Sequence, residues 1–124
     1  MQIQLAYGEG PLTIESPDER TAVITPNERE GIRDERTAIH TALDAPTAGS
    51  SLRQLVKTDT RICILFTDIT RATPNDRMIP WLLDYLSFVP KKNIILLNQL
   101  GTHRPNSRAE LEKMLTKEGV KKYR

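Results

Sequence analysis

Ile62-Cys63-Ile64-Leu65-Phe66 is an unbroken apolar run whose β-branched and aromatic content reads as a strand. A run without polar alternation is expected to be covered on both faces, as strands of a parallel sheet are. The same logic makes Cys63 a buried small hydrophobe. A polar loop, Thr67 to Asp76, follows. Ile79, Leu82, Leu83 and Leu86 then recur at i, i+3, i+4 and i+7, the spacing of one helix face. Pro80 falls inside that pattern, so the helix either starts late or kinks there. Ile94-Ile95-Leu96-Leu97 repeats the buried-strand signal, and a second polar loop runs from Asn98 to Asn106. Ser107 and Glu110 have the spacing of a capping box and open a second helix, with Leu111, Met114 and Leu115 inward. Gly119 is the expected stop of that helix.

Strand, helix, strand, helix is the signature of a parallel sheet joined by a right-handed crossover. Both strands then point the same way, and both polar loops lie at one carboxyl edge, where open α/β sheets bind ligands. Neighbouring strands lie about 4.8 Å apart, so the two loops can share one site.

The chain before this unit reads differently. Leu5-Ala6-Tyr7, Leu12-Thr13-Ile14 and Ala22-Val23-Ile24 are short strand candidates, separated by Gly8-Glu9-Gly10-Pro11 and Ser16-Pro17-Asp18 as turns. Residues 27–37 are mostly charged and predicted to be exposed. A helix is predicted from about Ile32 to Leu43, with Ile39, Ala42 and Leu43 on one face, ending before Pro46. Ser50 and Ser51 are candidate caps for a short helix holding Leu52, Leu55 and Val56. The expected fold is therefore α/β: short N-terminal β strands, then a βαβα unit with parallel strands, a Rossmann-like half. Two parallel strands make a thin sheet. The 124 residues read either as one domain or as the N-terminal part of a larger one.

Composition narrows the function. The chain has 18 Lys and Arg against 16 Asp and Glu, a formal charge of +2, and the charges are interleaved. That bias is too small to argue for nucleic acid or an anionic membrane. Cys63 is the one cysteine, which excludes an internal disulfide and fits a reducing compartment. The N-terminus lacks the basic-then-apolar pattern of a signal peptide, and no apolar run approaches the roughly 20 residues that span a bilayer. The expectation is a soluble cytoplasmic protein. The two His and one Cys, widely spaced, form no metal-ligand pattern, and no Gly-rich phosphate loop is present. His40 is expected to be structural.

The chemistry lies in the two loops. Asp68 falls where a buried strand meets the edge, and a carboxylate there can orient a base. Arg71 offers a planar fork of donors for a carboxylate or phosphate. A structural role is equally open for this loop, with Asp68 and Arg71 pairing together and Thr73 capping the helix. In the second loop, Gly101 permits a tight turn. His103 is of the residue type that titrates near neutrality and serves as a general base. Arg104 adds an anion contact. A lone His in a turn is usually solvated and idle; a His beside an Arg, at the same edge as Asp-x-x-Arg, points to function.

Thr67-Asp68-Ile69-Thr70-Arg71-Ala72-Thr73-Pro74 and Gly101-Thr102-His103-Arg104-Pro105, together with Tyr7-Gly8 and Ala42-Leu43-Asp44-Ala45-Pro46, resemble the N-terminal domain of the nickel-dependent lactate racemase family. The likeness extends over nearly the whole chain. It implies an isomerase that interconverts the two hands of a 2-hydroxy acid with a nickel-pincer nucleotide. The resemblance makes His103 one of two acid/base histidines, places Arg71 near the substrate carboxylate and gives Asp68 a supporting role at the cofactor; Arg104 is expected to be a second substrate contact, and Thr70 and Gly101 further cofactor contacts. The family's second catalytic histidine, cofactor-bearing lysine and nickel-binding histidine lie further along than Arg124. By the resemblance, these 124 residues alone bind no nickel and catalyse nothing, and their partner is the remainder of a parent chain. Rival readings are a same-family epimerase of sugar acids and a non-catalytic α/β anion-binding module.

Overall fold

The structure, a computed structural model, describes residues 1–123. The chain divides into two compact units, Met1–Gly31 and Ile32 onward.

In the first unit, β1 (Gln2–Tyr7) and β2 (Gly10–Glu15) pair as an antiparallel hairpin, with Ile3 opposite Ile14 and Tyr7 opposite Gly10. Gly8 has φ 59°, the left-handed conformation that a two-residue hairpin turn requires. The N-terminal amine ties the open end by donating to the Ser16 carbonyl at 2.6 Å and to the Asp18 carboxylate. The expected third strand, Ala22-Val23-Ile24, does not form. It has no ladder partner in this unit, and Val23 and Ile24 are exposed.

In the second unit, Asp34 caps α1 (Glu35–Asp44) by accepting the Thr37 N–H at 3.0 Å. That cap starts the helix later than the predicted Ile32. Ser51 and Gln54 form a capping box on the short α2 (Leu52–Leu55). Then β3 (Ile62–Thr67), α3 (Asn75–Tyr85), β4 (Ile94–Gln99) and α4 (Arg108–Lys122) follow in the predicted βαβα order. β3 and β4 are parallel neighbours, paired from Ile62 opposite Ile94 to Thr67 opposite Gln99. α3 runs through Pro80. α4 opens on the Ser107–Glu110 capping box. Its regular geometry breaks at Thr116 (φ 67°), three residues before the expected stop at Gly119, and the chain is helical again to Lys122. Thr116 Oγ1 accepts the Gly119 N–H at 3.2 Å, so it caps this last helical segment.

The core joins Ile64 and Phe66 of β3 and Ile94 of β4 to Ile79 and Tyr85 of α3 and Met114 and Leu115 of α4. His40 donates Nε2–H to the Trp81 carbonyl at 3.0 Å and stands edge-on to Tyr85, a structural post between α1 and α3. Ion pairs Glu35–Arg77 and Arg36–Asp84 also join these helices.

The strands are covered on one face, not both. Leu65, Ile95 and Leu97 are about half exposed, at 58%, 45% and 51%, and Cys63 is exposed with them. Side chains alternate across a strand, so the helices that bury Ile64 and Phe66 leave Cys63 and Leu65 on the far side. Among the described residues no helix is long and apolar enough to cross a membrane.

Candidate active site at the carboxyl edge of the parallel strands

The aligned ends of β3 and β4 put the two loops side by side, since Thr67 pairs with Gln99. Asp68 is the first residue past β3 and is 3% exposed. Its main-chain carbonyl accepts the Arg71 N–H at 3.2 Å, which closes a turn and leaves the carboxylate facing inward. In the other loop, His103 N–H donates to the Leu100 carbonyl at 3.0 Å, and Gly101 supplies the left-handed residue of the turn at φ 58°. An L side chain is strained at that φ, so Gly101 lets the chain double back and bring His103 over Asp68.

The two loops meet in one contact. His103 Nδ1 lies 2.6 Å from Asp68 Oδ2. Asp68 Oδ1 accepts both the Thr70 main-chain N–H, at 2.8 Å, and the Thr70 hydroxyl, at 2.5 Å. These hydrogen bonds, chiefly the two from Thr70 and then that from His103, favour the ionised carboxylate and hold it at about 2, well below the usual aspartate range. A charged acceptor thus sits under an imidazole whose side chain is 39% exposed.

Asp68, Arg71, Gly101 and His103 line a shared depression of about 440 Å³. Asp68 does not pair with Arg71, and α3 starts at Pro74 without a side-chain cap from Thr73. Among the described residues the exposed Arg71 guanidinium has no ion-pair or hydrogen-bond partner. Arg104 is placed differently. Its Nη1 and Nη2 donate to the two Glu110 carboxylate oxygens at 2.9 and 2.8 Å, and Nη1 also donates to the Pro105 carbonyl at 3.0 Å.

Three asparagines hold this edge and were not singled out in the sequence. Asn75, 4% exposed, donates Nδ2 to the Thr67 carbonyl at 3.0 Å and to Thr67 Oγ1 at 3.2 Å, fastening the start of α3 to the end of β3. Asn106 donates to Asn98 Oδ1 at 2.5 Å, and Asn98 Nδ2 reaches the Phe66 carbonyl at 3.4 Å. An Asn beside a loop reads as turn chemistry, and only the polar character of Asn98 after four apolar residues hinted at more.

Among the described residues, a hydrogen-bonded Asp–His pair and an arginine without a partner thus lie in one depression at the carboxyl edge of parallel strands, the edge at which open α/β sheets bind ligands. The chain belongs to the lactate racemase N-terminal domain family, whose sequence profile matches residues 7–124. Its fold is similar to that of the lactate racemase apoprotein from Thermoanaerobacterium thermosaccharolyticum, with a TM-score of 0.78 and 26% identity over 100% of this chain. The chain spans 29% of the length of that protein. No curated protein matches it.

Proposed function

We propose that the chain supplies one wall of the active site of an enzyme that interconverts the two hands of a 2-hydroxy acid. One observation carries this reading: His103, hydrogen-bonded to the ionised Asp68, shares a depression with Arg71, which has no partner among the described residues. Loss of hydride from the substrate Cα creates a carbonyl, so the hydroxyl proton must leave with it. His103 takes that proton from one hand of the substrate and returns it when the 2-keto acid is reduced back to that hand, the second acid/base histidine that the resemblance implies serving the other. Arg71 holds the carboxylate through two parallel hydrogen bonds, which fixes the orientation of Cα. Arg104, engaged with Glu110, holds the His103 loop against the start of α4 and leaves substrate binding to Arg71.

A nickel-pincer nucleotide, when bound, supplies the hydride acceptor. The described residues fit one side of such a group and not its metal. Nothing lies within 4 Å of where a Gly101 side chain would be, so its backbone is open to a flat ligand. Among the described residues no cluster of three His, Cys, Asp or Glu could hold a metal ion. Asp68 and Thr70 are turned towards each other and His103, so at this edge the open Gly101 backbone would be the part of the chain to hold the cofactor.

The test is interconversion of D- and L-lactate, and of a panel of longer 2-hydroxy acids and sugar acids, by the full-length protein with verified cofactor. Exchange of at least one pair is expected. No exchange of any member would overturn the proposal and leave an anion-binding module.

A further inference from the structure

A histidine accepts a proton only at the ring nitrogen that lacks one, so its tautomer decides whether and where it acts as a base. We infer that Asp68 and Thr70 lock His103 in the tautomer with the proton on Nδ1, leaving Nε2 as the nitrogen that takes the substrate proton. Asp68 is then a positioning residue for His103 rather than a contact to the cofactor.

The geometry settles the hydrogen-bond directions one by one. The Thr70 main-chain N–H can only donate, so Asp68 Oδ1, 2.8 Å away, is an acceptor. The Thr70 hydroxyl donates to the same oxygen at 2.5 Å. Asp68 is ionised, so Oδ2 is an acceptor as well, and Nδ1 at 2.6 Å must carry the hydrogen. Thr70 Oγ1 is also 3.4 Å from Nδ1, too long to compete with the carboxylate. In the neutral imidazole this leaves Nε2 with the lone pair. Asp68 is buried and its carboxylate is occupied on both oxygens, so rotating the Asp68 side chain away from Nδ1 breaks several hydrogen bonds together.

The arrangement makes Asp68→Asn informative. The Thr70 N–H would hold the amide oxygen at the Oδ1 position, which puts the NH2 group against His103. The imidazole would then accept at Nδ1 and carry its proton on Nε2, the wrong atom for a base. The side chain keeps its size and shape, so the fold is conserved.

The base role rests on the proposed function, but the tautomer does not, and the experiment separates them. Long-range 1H–15N NMR of 15N-histidine-labelled full-length protein, with His103 assigned from a His103→Gln sample, reads the tautomer directly once pH is raised until the ring shifts no longer change. The expected result is Nδ1–H in the unmodified protein and Nε2–H in Asp68→Asn. The same substitution is expected to lower kcat about 10²-fold or more while KM changes little. An Nε2–H signal in the unmodified protein overturns the inference without any variant. Unchanged kcat in an Asp68→Asn protein with the switched tautomer overturns the positioning role. The expected tautomers in a protein that racemises nothing would uphold the lock and sink only the proposed function.

Discussion

Arg104 lays its two terminal nitrogens on the two carboxylate oxygens of Glu110, at 2.9 and 2.8 Å, while Glu110 also receives the Ser107 N–H at 2.7 Å. One carboxylate therefore closes the loop after β4 and caps α4 together. If Arg104 acts through this clamp, Arg104→Ala and Glu110→Ala should impair the enzyme alike, and the double variant should do no worse than either alone. If Arg104 instead binds substrate, only its own loss raises KM. Steady-state kinetics of the three variants decide between the two.

Arg71 is the opposite case, an exposed cation without a partner among the described residues. Arg71→Lys keeps the charge but cannot offer the planar fork, so KM for the 2-hydroxy acid should rise about tenfold, equivalent to one charge-assisted hydrogen bond. Thermal stability should be unaffected, because no intramolecular contact is removed. A lower melting temperature with unchanged KM would show a structural arginine.

Acid should loosen this edge in a defined window. Asp68 is lowered from 3.8 to about 2, and Glu110 from 4.5 to about 2. Both bind fewer protons folded than unfolded, so each contributes stability above its unfolded value. That contribution is lost as pH falls from roughly 4.5 towards 2. Urea midpoints measured across this range should decline with falling pH. The decline should be shallower in Glu110→Gln, with no change in its slope above pH 5.

Asn75 carries the join between β3 and α3, being 4% exposed and donating twice to Thr67. Asn75→Ala would take this donor from the partly buried Thr67 carbonyl and should cost about 1–3 kcal/mol. The check is a lower urea midpoint at constant m value. A change within experimental error would mean that the bond is idle.

The βαβα order was legible because β3 and β4 are uninterrupted apolar runs and the two helices carry clear spacing or caps. The same runs misled on coverage. Cys63, Leu65, Ile95 and Leu97 are as apolar as their buried neighbours, so no period-2 signal survived to show that one face is open. Ala22-Val23-Ile24 has strand propensity, but propensity without a ladder partner does not make a strand. Of the site, the meeting of Asp68 and His103 was readable only as two loops at one edge. Which pairs form there is set by loop geometry. Arg104 finds Glu110 six positions on, across a turn, where no helical or strand period predicts a neighbour. Asp68 chose His103 and Thr70 over Arg71 because the turn that brings the Arg71 N–H to the Asp68 carbonyl keeps the carboxylate inward.

The most direct test of the central claim is the racemisation rate of the full-length, cofactor-loaded protein with His103→Ala, measured by chiral separation of the 2-hydroxy acid from each enantiomer. A side chain that moves the hydroxyl proton predicts loss of at least about 10²-fold in kcat in both directions, with cofactor content unchanged. Turnover at the unmodified rate would contradict it, since a catalyst that does not need its histidine is not using the Asp68–His103 pair at all.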